Sequence, residues 1–469
     1  MAIIFEQIHT PGIAQLSYLV GDPSIGKAAV IDPRSDVDVY LKLARKHGVG
    51  ITHIFDTHIH VDFLSGSREL QARLPNAKIF ASHEGGADSY GFDHEPVWDG
   101  DSFEFGDFLL TARHTPGHTL EHVSYTMAEI GRKDSPWAVF SGDSLFVNSV
   151  GRPDLMGDEE TQKLAEKLHD TITRFYSSME DGVTVFPCHG SGSSCGPAIG
   201  DLKSTTIGYE RMHNPYLLIK DRKQFIREVL EEAAPEPEPN YYKPMNKVNT
   251  NGPEILGGFP VVPTLPVEDF KKAVKEQRGV LLDTRGMLAF GGGHIPGALN
   301  LGADAELSPW AGWMLKFDDP LLLVLDKDAH LEAVVRLLWR SGHVKFAGYL
   351  VGGMKSWGNA GLPLRHLHQI TVHALKEAGE RMQIIDVRTP SEWNSGHIPG
   401  ARHFFLPYLR ENLGKLDRER TTVTYCDSGY RASIAASVLL QEGFAEVRNV
   451  PGSWQAWTKA GYPVEGGRK

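Results

Sequence analysis

Cysteine is scarce in this chain: Cys188, Cys195 and Cys426 are the three among 469 residues. Three thiols are too few for a secreted disulfide framework, so reduced cysteines in a cytoplasmic protein are expected. Long apolar runs are lacking too. No segment reaches the ~18 residues of a membrane span, and the first twenty, MAIIFEQIHTPGIAQLSYLV, carry Glu6 but no basic stretch ahead of an apolar run. Basic charge is in deficit, with 48 Lys plus Arg against 59 Asp plus Glu and a net charge of -11. That balance removes the electrostatic reason to expect nucleic acid or an anionic membrane as a partner. With 41% hydrophobic and 23% charged residues the chain can bury ordinary globular cores. Its length fits about three domains.

Residues 1–232 alternate short apolar segments with polar or helical ones. AAVID (28–32), ITHIF (51–55), KIFAS (78–82), FLLTA (108–112), VSYTM (123–127), WAVFS (137–141) and VTVFP (183–187) read as strands of an α/β domain. EEAAPEPEPNYYKP, from Glu231, packs four prolines and four acids into fourteen residues. Such a composition cannot easily build a core, so 233–262 is read as a linker. An internal repeat follows. VLLDTRGMLAFGGGHIPGALNL (280–301) matches QIIDVRTPSEWNSGHIPGARHF (383–404), and GGMKSW (352–357) matches GSWQAW (452–457). Two homologous domains, 263–364 and 365–469, are expected, each a small parallel α/β unit in which a strand ends in Asp before a GHIPGA turn.

The second repeat carries a nucleophile signal, TVTYCDSGYRASIAASVLLQEGF. An apolar strand runs into Cys426, and Ile434, Val438 and Leu439 form one stripe of a following helix. A thiol in a loop at a helix N-terminus meets inward-pointing amides and the positive end of the dipole, and Arg431 adds a cation. These residues resemble the rhodanese family of sulfurtransferases. The resemblance implies that Cys426 carries a sulfane sulfur, that the main chain of Asp427, Ser428, Gly429, Tyr430 and Arg431 cradles it, and that Asp386 and Arg388 brace the loop. The related phosphatases space Cys and Arg by five residues; four separate them here, which favours sulfur. In the first repeat VLDKDAHL replaces TYCDSGYR, so Asp326 stands at the cysteine position, Ala329 replaces Gly429 and Leu331 replaces Arg431. A carboxylate cannot hold a persulfide, and this copy is expected to be catalytically inert, with a structural or docking role.

In the N-terminal domain THIHVDF places His58, His60 and Asp62 on one side of an extended stretch. Two imidazoles and a carboxylate at a strand end make a plausible metal half-site. Three further strand ends supply His118 (TARHTPGHTLEH), Asp143 (VFSGDSLF) and His189 (TVFPCHGSGSSCG). One shared site at a sheet edge accounts for all of them economically. His114 and His122 lie nearby and are read as non-ligating. The four motifs together resemble the metallo-β-lactamase superfamily, which implies an αββα sandwich over about residues 1–230. Matched to the family's His-x-His-x-Asp-His box, Phe63 replaces the last histidine. Phenylalanine has no lone pair for a second metal, so a single metal is expected. The resemblance to the superfamily's persulfide dioxygenases implies one Fe(II) held by His58, His118 and Asp143, with zinc as the alternative, and supporting roles for His60, Asp62 and His189. Cys195, in a Gly/Ser-rich loop, is a candidate sulfur relay; Cys188 is left as packing.

The fused order points to sulfur chemistry: oxidation of a low-molecular-weight thiol persulfide by O2 to sulfite, then transfer of sulfur through Cys426 to sulfite to give thiosulfate. A zinc-dependent thioester hydrolase resembling glyoxalase II is the alternative. Glutathione, coenzyme A and bacillithiol all remain open as the thiol, and so does a homo-oligomeric state.

Overall fold

The computed structural model describes residues 3–86, 89–155, 157–196, 198–233 and 237–467. They form two compact units, 1–259 with 339–342, and 260–338 with 343–469.

The first unit is built on two six-stranded sheets. One runs in chain order: Ile4–Thr10, Gln15–Asp22, Lys27–Ile31, Gly50–Phe55, Lys78–Ser82 and Glu95–Val97. The other places Thr205–Thr206, Thr184–Pro187, Ala138–Gly142, Val123–Glu129, Phe108–His114 and Ser102–Phe105 side by side. Period-two alternation sorts the side chains between layers. Ala29 and Ile31 join Leu16, Tyr18 and Val20 against Phe108, Leu110, Tyr125 and Phe140 of the other sheet. Ala28 and Val30 face outward to Tyr40, Ala44 and Leu70 of the helical layer. On the far side Val139 and Val185 pack against Ala165, Leu168 and Phe225. Helix, sheet, sheet and helix therefore stack as the expected αββα sandwich.

All seven strands read from the sequence are present within a few residues. Gln15–Asp22 escaped the reading because QLSYLVGD is buried at every position, its Gln, Ser and Asp included, and its alternation over Gln15–Tyr18 breaks where Leu19 and Val20 follow in succession. The segment read as a linker needs correction. Residues 234–236 lie outside the described residues, but Tyr242–Asn251 is a helix that buries Tyr242, Met245 and Asn249. Pro244 is tolerated because it sits in the first turn, where its missing N–H has no intrahelical partner to lose.

The second unit holds two five-stranded parallel sheets with the same strand order. The first is Thr264–Leu265, Phe346–Leu350, Leu321–Val324, Val280–Asp283 and Leu299–Asn300; the second is His368–Gln369, Val447–Asn449, Thr422–Tyr425, Gln383–Asp386 and Arg402–His403. The sequence repeat is thus a structural repeat. Helix Tyr430–Gln441 buries residues 432–440 throughout rather than along the single stripe expected. Its outer face is covered by the first repeat, where Asn300 meets Ser433 and Ser437.

Candidate metal centre and sulfur-carrier loop

Four strand ends converge at one edge of the sandwich. The loop after Gly50–Phe55 is held at Thr57, whose N–H and hydroxyl both reach the Asp32 carboxylate at 2.7–3.1 Å. Further along, Ile59 N–H donates to Glu121 Oε1, and the Asn249 amide donates to the carbonyls of His60 and Phe63. Asp143 follows Ala138–Gly142 at Gly142, whose φ is +52°; a Cβ there would lie 2.4 Å from His122 Nε2. His118 sits on the turn between two antiparallel strands, and His189 follows Thr184–Pro187.

The structure brings His58, His118 and Asp143 together, with ligand atoms within 4.8 Å of one another and all three residues buried. Their tautomers are set from behind. Because the Thr57 hydroxyl donates to Asp32, it accepts from His58 Nδ1 at 2.9 Å. His118 Nδ1 donates to the Arg152 carbonyl at 2.9 Å. Both Nε2 lone pairs are therefore bare, 3.7 and 3.6 Å from Asp143 Oδ2. Nε2 of His118 is a buried nitrogen without a hydrogen-bond partner. Burial first, then the neighbouring imidazoles, holds His58 well below the usual histidine range. Burial opposes ionisation of Asp143, but the charge and hydrogen bond of His189 outweigh it and lower its pKa. Two imidazoles that turn Nε2 toward one carboxylate, with His118 Nε2 left without a hydrogen-bond partner, fit a divalent metal.

The remaining candidates flank this set. His189 Nδ1 bonds Asp143 at 2.8 Å, and its Nε2 lies 2.8 Å from Asp62 Oδ2, outside hydrogen-bond alignment. Burial would lower the His189 pKa, yet the Asp143 and Asp62 carboxylates raise it well above the ordinary value. His60 turns its Nε2 to Asp32 at 3.2 Å. Phe63 is fully buried, packed with Ile13 and Cys188, its ring 4.3 Å from that of His60 and 6.1 Å from that of His189. His122 has both nitrogens engaged, Nδ1 with Thr115 and Nε2 as acceptor from Asp143 N–H; burial lowers its pKa to about 3. His114 Nε2 bonds the Leu120 carbonyl. Sequence reasoning missed Asp32, Glu121, Arg152 and Asn249. Asp32 closes the AAVID strand and was legible as an acid at a strand end; the other three act through distant backbone.

Cys195, the candidate relay, is fully buried beside Asp62 and His189, and burial pushes its thiol pKa well up, which disfavours a reactive thiol there. Cys188 is buried likewise, as packing requires.

In the second unit Cys426 closes the strand Thr422–Tyr425, and Gly429 N–H donates to its Sγ at 3.0 Å. Gly429 adopts φ +118°, where side-chain-bearing residues are strained. Ser428 accepts from Gly452 N–H, Asp427 from the Gln455 amide, and the Tyr430 hydroxyl donates to the Gly302 carbonyl. Two expectations shift. The Arg431 guanidinium forms a bidentate pair with Glu392 at 2.6 and 2.7 Å instead of standing as an uncompensated cation beside the sulfur. The Asp386 and Arg388 side chains clasp each other, and Arg388 donates to the Gly396 carbonyl, so their hydrogen bonds brace the GHIPGA turn.

Two family models match the chain. One is described as the metallo-beta-lactamase superfamily, over residues 10–189; the other, a rhodanese-like domain, matches 266–360 and 371–460. The mitochondrial persulfide dioxygenase of Bos taurus is 27% identical over 237 residues, covering 50% of this chain and 84% of that protein. A hydroxyacylglutathione hydrolase of Rhizobium johnstonii is 32% identical over 219 residues, covering 43% and 82% respectively. A solved metallo-beta-lactamase structure from Staphylococcus aureus is 30% identical with a TM-score of 0.66, covering 75% of this chain and 100% of that one. Among the described residues no helix is long and apolar enough to cross a membrane.

Proposed function

This chain belongs to the metallo-beta-lactamase superfamily and carries two rhodanese-like domains, and we propose that it is a persulfide dioxygenase joined to a sulfurtransferase. The observation that carries the reading is the buried set His58, His118 and Asp143, with bare Nε2 atoms, in one chain with the Cys426 loop. Ferrous iron held by those three residues would supply O2 activation beside the sulfur of a low-molecular-weight thiol persulfide. The residues behind them keep the donors in place: Asp32 through Thr57 holds the His58 tautomer, the Arg152 carbonyl that of His118, and His189 the Asp143 carboxylate. Phe63 fills the space against His60 and His189 with an apolar ring and keeps water from it. The net reaction takes RSSH, O2 and water to RSH, sulfite and two protons.

Sulfur transfer belongs to Cys426. Its thiolate attacks the outer sulfur of a second RSSH, the S–S bond breaks, and RSH leaves with the proton. Sulfite then takes the outer sulfur of the Cys426 persulfide, giving thiosulfate and restoring the thiolate, to which Gly429 N–H donates.

A zinc-dependent thioester hydrolase is the second reading. It is favoured by the hydroxyacylglutathione hydrolase relative and by Asp62, His189 and Cys195, whose donor atoms also lie within 4.8 Å of one another. Product analysis tests the first reading. In the Cys426→Ser chain O2 uptake on glutathione persulfide stays intact while the product moves from thiosulfate to sulfite; an unchanged thiosulfate yield refutes the coupling.

A further inference from the structure

Between the two repeats of the second unit lies a cavity of about 440 Å³. The sulfur-carrying repeat lines it with Ser428, Tyr430 and Ser433, and Ser428 and Tyr430 flank the glycine whose N–H meets the Cys426 sulfur. The opposite wall comes from the inert repeat. Met287 of that wall packs directly on the sulfur loop, since a Cβ added at Gly429 would lie 2.8 Å from its Sδ. The Gly302 carbonyl takes the Tyr430 hydroxyl at 2.9 Å, and Asn300 Oδ1 takes the Ser433 hydroxyl at 2.6 Å.

Two carboxylates stand on this wall. Asp304 and Asp326 line the cavity, and Asp326 occupies the position that in the other repeat is the cysteine. The one arginine there, Arg285, is committed to the Asp283 carboxylate through Nε at 2.9 Å and Nη2 at 2.6 Å, and to the Gly293 carbonyl. His330 and Tyr430 are the remaining titratable lining groups. An acceptor approaching Ser428 and Tyr430 through the cavity passes two carboxylates and no uncompensated arginine or lysine among the lining residues.

We propose that this cavity is the acceptor site for the Cys426 sulfur, and that Asp304 and Asp326 of the inert repeat raise the KM of anionic acceptors, sulfite included, relative to acceptor thiols without added negative charge, while leaving the transfer to sulfite open. The proposal rests on Cys426 as sulfur carrier. An acceptor thiolate R′S⁻ attacks the outer sulfur of the Cys426 persulfide, the Cys426 S–S bond breaks, and R′SSH forms as the Cys426 thiolate leaves with the bonding pair. Sulfite reacts in the same way but enters against the carboxylates.

The test uses the full chain, thiosulfate as sulfur donor, and either sulfite or neutral dithiothreitol as acceptor, sulfite exchange being followed with isotopically labelled sulfur. Asp304→Asn and Asp326→Asn together lower the KM for sulfite about three- to tenfold, an effect that shrinks as salt is raised, while the KM for dithiothreitol stays put. Equal changes for both acceptors, or none for either, overturn the proposal. Mass spectrometry of the donor-treated double variant separates the two failures: absence of the added sulfur on Cys426 in both variant and wild type condemns the carrier reading, whereas a loaded Cys426 with an unmoved sulfite KM condemns the cavity.

Discussion

The two rhodanese-like repeats share one scaffold and differ in the loop that holds Cys426 and in the side chain that meets its arginine. In both, an aspartate and the arginine two residues on clasp each other at the end of the fourth strand in sheet order: Asp283 with Arg285, Asp386 with Arg388. In both, that arginine reaches the glycine carbonyl ahead of the HIPGA turn, Gly293 or Gly396. The first repeat keeps the clasp with Asp326 at the cysteine position, so the clasp serves the fold of each repeat. One ion pair of the second repeat is absent from the first at both of its positions. Leu331 stands where Arg431 does, and Ala289 where Glu392 does. Keeping either partner alone would leave a half-buried charge unpaired, and the joint replacement avoids that cost.

Removing the nucleophile should separate the repeats most widely. Cys426→Ser is expected to lower sulfurtransferase turnover by at least about 100-fold, whereas Asp326→Asn still loads sulfur onto Cys426; a comparable loss in both variants would mean the first repeat supplies part of the sulfur-loading machinery. The clasp should show the opposite symmetry. Asp283→Ala and Asp386→Ala each strand a buried guanidinium, at a cost of about 3–5 kcal/mol, read from urea unfolding of the full chain. A large effect in only one repeat would tie the clasp to the chemistry of that repeat.

Acid should then act on the pair that only the second of the two repeats has. Burial opposes ionisation of Glu392, but the hydrogen bonds and charge of Arg431 outweigh it and hold the carboxyl below its ordinary 4.5. A depressed pKa in the folded state contributes stability above pH 4.5, lost as pH falls through the folded value. Glu392→Gln therefore flattens the acid limb of stability between about pH 5 and 3, measured by the urea midpoint; an unchanged limb would show that the pair is energetically silent. The smallest effect is expected from grafting. Introducing D326C, A329G and L331R together into a C426S background gives at most a trace of persulfide by mass, because A289E is also needed to hold the new arginine. Wild-type loading would show that the loop alone carries the function.

Much of this was legible in the sequence. Spaced Asp, His, Cys and Gly at strand ends marked both sites because their chemistry demands those residues close together, and the repeat exposed itself through GHIPGA. The strand Gln15–Asp22 did not, since a strand buried on both faces loses its alternation. Asn249 was hidden in a proline-rich stretch read as a linker, and its contact with the His60 and Phe63 carbonyls spans 186 or more residues of sequence. The Arg431–Glu392 pair lay in two motifs that were each read for a separate task. Cys195 misled because Gly and Ser around it imply an exposed loop, whereas the structure buries it.

The most direct test of the account is O2 consumption on glutathione persulfide by anaerobically prepared protein of known metal content. About one iron per chain, with rapid uptake that is lost in His58→Ala or Asp143→Asn, is the predicted result. Two zinc ions per chain, no O2 uptake and turnover of a glutathione thioester would contradict it.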